Sequence, residues 1–75
     1  MANHPAGEQK PTLIRLPEVK RITGLGKSSI YARCKEGRFP SPINLGGRMS
    51  AWCESEVLQW VREIVAASRG VEVRQ

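Results

Sequence analysis

One stretch of this chain admits a single secondary structure. Val57, Trp60, Val61, Ile64, Val65 and Ser68 recur at spacings of three and four, which lines them along one side of an α-helix. Glu54 and Glu56 fall in its first turn, where the positive end of the helix dipole favours carboxylates. Gly70 marks its end. The spacing predicts a helix from about Glu54 to Ser68. A chain of 75 residues is one domain with a thin core, so the shorter segments upstream must be closed off by this apolar side.

Those segments are punctuated by glycine and proline. Leu13-Ile14-Arg15-Leu16 reads as a short extended piece, and Pro17 follows where helices accept it, in the first turn, with Glu18 beside it. Leu16, Val19 and Ile22 make a stripe on a helix of about Pro17–Thr23, which Gly24 terminates. Leu25 is expected as a buried plug. A second helix runs from about Lys27 to Glu36, with Ile30 and Cys34 on its inner side and Gly37 at its end. At ~100° per residue, Ser28, Ala32 and Lys35 point away from that inner side, Lys27 and Tyr31 lie on one flank, and Ser29 and Arg33 on the other. Helix, short glycine turn, helix is the spacing of a helix-turn-helix.

Arg38-Phe39-Pro40-Ser41-Pro42 excludes helix. Ile43-Asn44-Leu45 and Arg48-Met49-Ser50-Ala51-Trp52 alternate on either side of Gly46-Gly47, the pattern of a hairpin whose two-residue turn needs positive φ. Arg48 stands at its tip. Phe39, Trp52 and Trp60 read as core, with base stacking as the lesser alternative for the tryptophans. The fold expected is mainly α with a small β-hairpin: a winged helix-turn-helix of three helices plus a two-stranded wing over residues 13–68. Residues 1–12 are expected to be a flexible arm and 69–75 a flexible tail.

Charge is distributed unevenly. The formal total is +5. Residues 13–53 hold eight Lys and Arg against two Glu, a net of +6, and the last helix with its tail is slightly acidic. A polyanion would therefore be met by the middle of the chain, although an ordinary basic surface would look the same. All seven acids are Glu and the single histidine is His4. No nucleophile–base pair and no metal-ligand cluster is visible, so no catalysis, metal or cofactor is expected. Cys34 and Cys53, far apart and outside any C-x-x-C spacing, read as reduced buried thiols rather than a disulfide or zinc ligands. Gly24-Leu25-Gly26-Lys27-Ser28 is similar to the end of a phosphate-binding loop, but Arg21 stands where the first glycine belongs and no aspartate exists to hold magnesium. No apolar run spans a membrane and no secretion signal is evident. The expected location is the cytoplasm, with no membrane partner and no small-molecule substrate.

Lys27, Ser28, Ser29, Tyr31, Arg33 and Lys35 make a polar, cationic surface on a helix short enough to enter the ~12 Å major groove, and Arg38 adds a cation just beyond it. Arg48 at a hairpin tip suits the minor groove or its phosphates. Each residue alone would also serve as a solvated surface group. The partner expected is double-stranded DNA, with self-association or tandem binding on it. The alternative is a protein-interaction module that docks through leftover apolar surface of the last helix, such as Leu58.

Leu13-Ile14-Arg15-Leu16-Pro17-Glu18-Val19, Thr23-Gly24-Leu25, Ser28-Ser29-Ile30-Tyr31, Lys35-Glu36-Gly37-Arg38-Phe39-Pro40, Leu45-Gly46-Gly47-Arg48 and Trp52-Cys53-Glu54-Ser55-Glu56-Val57-Leu58-Gln59-Trp60 together resemble the AlpA family of prophage regulators. The likeness runs from residue 13 to about 64. It implies a MerR-like, excisionase-like winged helix-turn-helix and a bacterial, phage-derived transcription factor, or else an excisionase-type recombination factor. By position it implies DNA contacts from Lys27, Ser28, Ser29, Tyr31 and Arg48. The chain departs from the pattern at Gly26, where serine is usual, and at Ala32-Arg33, where a cation and then a bulky apolar residue are usual.

Overall fold

The computed structural model describes residues 12–70, so the expected arm (1–12) and tail (69–75) lie almost wholly outside the described residues. The elements follow as β1 (Leu13–Ile14), α1 (Leu16–Thr23), α2 (Lys27–Lys35), β2 (Ile43–Gly46), β3 (Met49–Cys53) and α3 (Glu54–Ser68). Three helices with a small antiparallel sheet are the parts of a winged helix-turn-helix.

Each helix ends where local chemistry dictates. Pro17 sits in the first turn of α1. Gly24 closes the helix with φ 76, donating its N–H to Lys20 O at 2.8 Å, a left-handed backbone that a Cβ would strain. The Thr23 hydroxyl then bridges the turn, donating to Val19 O and accepting from the Leu25 N–H. At the end of α2, Gly37 N–H donates to Cys34 O at 3.1 Å and Arg38 N–H to Arg33 O at 2.8 Å, the paired bonds of a Schellman stop. Gly26 caps the start of α2 without a side-chain hydrogen bond.

The sheet differs from the expected two-stranded wing. It has three antiparallel strands in the order β1-β3-β2. Leu13 pairs with Cys53 and Ile14 with Trp52, and the Glu54 N–H donates to Thr12 O at 2.7 Å. A two-residue strand carries too little alternation to announce a partner, so β1 was legible only as extended chain. The hairpin turn is also displaced by one residue. Gly46 is paired with Met49, so the two-residue loop is Gly47-Arg48. The register slips between Asn44 and Gly46, leaving Leu45 as a bulge. Gly47, at φ 58, takes the first central position of the turn, and Asn44 Oδ1 accepts the Gly46 N–H at 2.6 Å. Arg48 remains at the tip.

The core is small. Val19, Ile30, Trp52 and Val57 are fully buried, joined by Ile14 and Phe39, with Leu16, Ile22, Leu25, Cys34 and Trp60 partly buried around them. Full burial of one such aliphatic side chain contributes ~1.5–3 kcal/mol, so no member is dispensable. Two tryptophans tie down the proline loop, whose backbone has no sheet partners. Trp52 Nε1 donates to Pro40 O at 3.1 Å and Trp60 Nε1 to Arg38 O at 2.8 Å. The Phe39 and Trp60 rings meet edge to face, centroids 4.9 Å apart.

Several expectations of full burial are corrected. Leu25 and Trp60 are half-buried, and so are the two free cysteines. The stripe on α3 is covered only in its first half: Ile64 and Val65 are 49% and 40% exposed. The helix is longer than the domain it closes, so its last turns run past the core.

Candidate nucleic-acid interface

Ile30 on α2 is fully buried, and this fixes the rotation of the helix. Lys27, Ser28, Tyr31, Ala32 and Lys35 are then exposed, while Ser29 and Arg33 are half-buried. The two flanks have different neighbours. Tyr31 touches Trp52 of β3 in an edge-to-face pair, centroids 5.9 Å apart, so the row Lys27-Tyr31-Lys35 runs along the side nearest the sheet. Arg33 sits on the opposite flank. It shares a groove with Thr23, Leu25, Trp60, Val61, Ile64 and Val65, and its guanidinium lies 3.4 Å from Ser29 O. The structure thus leaves Lys27, Ser28, Tyr31 and Lys35 exposed together, with Tyr31 against the sheet, and sets Arg33 in the groove with α3, Ser29 being half-buried on the same flank.

Arg38 is exposed but paired with Glu36 at 3.1 Å, and it borders the hollow beneath Trp60. That position is nearer α3 than the outer side of α2. Arg48 projects from the hairpin tip and is exposed. Arg21, on α1, is hydrogen-bonded to Glu18. The bond from Arg21 holds the Glu18 carboxyl below its usual range, against desolvation and helped by the Arg21 charge, so this cation already has an anionic partner on its own helix.

The electrostatics of the three helices differ. α1 and α3 carry Glu in their first turns, whereas α2 has none and begins at Lys27. A cation at the positive end of a helix dipole is locally unfavourable. Together the N–H groups after Gly26 and the Lys27 ammonium make the start of this helix electropositive. At the other end Arg33 and Lys35 suit the negative pole.

Sequence reasoning missed two contributors. Thr23 holds the interhelix turn from inside. Arg15 reaches across to the hairpin, its Nε donating to Ser50 O at 2.9 Å. The available signal was an arginine in the capping position before α1, where Ser, Thr, Asp or Asn is preferred. Among the described residues no three His, Cys, Asp or Glu side chains gather to hold a metal, and no helix is long and apolar enough to cross a membrane.

Two comparisons with known proteins identify relatives of this sequence. Residues 12–65 match the family model described as prophage CP4-57 regulatory protein (AlpA). The chain is also 39% identical over 56 residues to the uncharacterized protein ORF88 of Enterobacteria phage P4, an alignment covering 75% of this chain and 64% of that protein. The chain therefore spans somewhat less than two thirds of that relative's length. By its description the matched family is one of regulatory proteins and not of enzymes. The matched region contains every described element except the last turn of α3, and the chain belongs to the AlpA family of phage regulatory proteins.

Proposed function

We propose that this chain is a sequence-specific duplex-DNA-binding regulator of a prophage or integrative element. In this reading α2 enters the major groove with Lys27, Ser28, Tyr31 and Lys35 foremost, and the hairpin carries Arg48 to the flanking backbone or minor groove. The observation that supports it is the exposed cationic side of α2, held beside the hairpin by the Tyr31–Trp52 contact. Arg33 and Arg38, which border α3, and Ser29 on the same flank of α2 as Arg33 would serve at the margin of the contact. Such a module covers only ~600–1,000 Å² of protein surface on DNA, so useful specificity calls for paired or tandem copies. Binding to DNA places the protein in the bacterial cytoplasm.

The test is a mobility-shift titration over a range of salt concentrations. The parent should bind even a random duplex at low salt. Arg48→Ala should weaken binding to all sequences and reduce the salt slope by about one unit. Absence of binding to any duplex at low salt would overturn the reading. The exposure of Leu58, Ile64 and Val65 favours a second reading, in which α3 docks a protein partner. That reading predicts no duplex binding and loss of the partner on Ile64→Glu. A role in excision rather than transcription would show as altered recombination of attachment sites with unchanged transcript levels.

A further inference from the structure

Arg15 breaks a local rule. It occupies the position before α1 with extended backbone (φ −97, ψ 174) and gives the helix no side-chain cap. Its carbonyl accepts the Glu18 and Val19 N–H groups, each at 3.0 Å. Its side chain serves a residue thirty-five positions away: Nε donates to the Ser50 backbone carbonyl in β3. The register explains the target. With Leu13 opposite Cys53 and Ile14 opposite Trp52, the same register would set Arg15 opposite Ala51 and Leu16 opposite Ser50, but by Leu16 the chain has left the sheet for α1. The arginine side chain takes the place of the missing strand. At the other end of β1, Thr12 O receives the Glu54 N–H, so this two-residue strand is pinned on both sides. Ser50 faces Asn44 in the middle rung of the hairpin ladder, two residues from Arg48, so the restraint acts within the hairpin itself.

We propose that Arg15 is a positioning residue for DNA binding: by bracing β3 at Ser50 against the start of α1, it sets the angle of the hairpin and so the place of Arg48 relative to α2. The link to DNA rests on the function proposed above, whereas the brace itself can be judged on the free protein. The alternative role for an exposed arginine here is a direct phosphate contact.

Three substitutions part the two roles. Arg15→Gln removes the charge but keeps an N–H donor at the same distance along the side chain. Arg15→Met removes both, and Arg15→Lys keeps the charge without a donor at that atom. Amide hydrogen exchange on the full chain without DNA should be about tenfold faster for the hairpin amides of residues 43–51 in Arg15→Met, with the core amides of α2 and α3 unchanged. Arg15→Gln should restore hairpin exchange to within about a factor of two of the parent. On DNA, Arg48→Ala should weaken the Arg15→Met protein much less than it weakens the parent, because an unbraced tip no longer delivers Arg48. In the Arg15→Gln background the Arg48→Ala effect should return.

Hairpin exchange at the parent rate in Arg15→Met would overturn the brace. Additive losses of affinity from Arg15→Met and Arg48→Ala, with affinity rescued by Lys and not by Gln, would make Arg15 a phosphate contact. If no variant and no parent binds duplex, the exchange experiment still decides the brace, and the DNA reading fails separately.

Discussion

Tyr31 illustrates how one side chain serves two ends. Its ring edge leans on Trp52 while 37% of the residue stays exposed. Tyr31→Ala should remove ~0.5–1.5 kcal/mol of aromatic contact and lower the ratio of specific to random duplex binding. Tyr31→Phe should keep the stability and lose only what the hydroxyl contributes on DNA. An equal loss of specific and random binding in the alanine variant would reassign the ring to the phosphate backbone. Cys34 behaves differently. Burial raises its thiol pKa, an effect partly offset by a hydrogen bond from Trp52, and the thiol lies 3.5 Å from Pro40 O. The folded protein therefore holds this proton more tightly than the unfolded chain does. Stability should be constant below the thiol range and fall as pH climbs through it. Alkylation of Cys34 by iodoacetamide near neutral pH should be slower than that of a free thiol and should accelerate on addition of urea. Equal rates with and without urea would show the thiol to be open to solvent in the native state.

At the scale of elements, α2 is the least self-sufficient. Like α1 and α3 it lacks a side-chain cap and contributes one fully buried residue, but it alone has no acidic residue in its first turn. Ile30→Ala should cost ~2–5 kcal/mol, a large share of what so small a domain possesses. A melting temperature within a few degrees of the parent would show that α2 packs by some other residue. The helices were legible in the residues because glycine and proline mark their ends and α3 repeats its apolar pattern over four turns. The candidate surface on α2 was legible for the same reason: once Ile30 and Cys34 point inward, the angle of every other side chain follows. The strands were less so. Gly46-Gly47 identified a hairpin, but either of two adjacent turns fits that dipeptide, and the bulge at Leu45 that decides between them depends on pairing with β3. β1 is too short to signal its neighbour, and the bond from Arg15 to Ser50 is a tertiary contact that local pattern does not encode. The half-exposure of Ile64 and Val65 was hidden because periodicity reports which side of a helix is apolar and not how far along it the core extends.

For the molecule as a whole, the division of labour follows charge. Most exposed cations of the described residues lie on α1, α2, the following loop and the hairpin tip, while α3 carries Glu54, Glu56 and Glu63 and covers the back of the core with its first half. Glu54 also supports the positive charge of Arg21 from across the α1–α3 contact. The two inner residues of the helix pair, Val19 and Ile30, share their core with Phe39, Trp52 and Val57, all later in the chain. A fragment comprising residues 12–42 should accordingly show little helical circular dichroism and no cooperative melting, while residues 12–70 should melt as a unit. A cooperative transition in the shorter piece would contradict this dependence. The pinning of β1 between Thr12, Trp52 and Cys53 carries the same logic into synthesis. A ribosome delivers α2 first and the parts that hold it upright last. Until Val57 has cleared the exit tunnel, the nascent polypeptide has the cations of α2 and of the hairpin but no rigid frame to hold them in place.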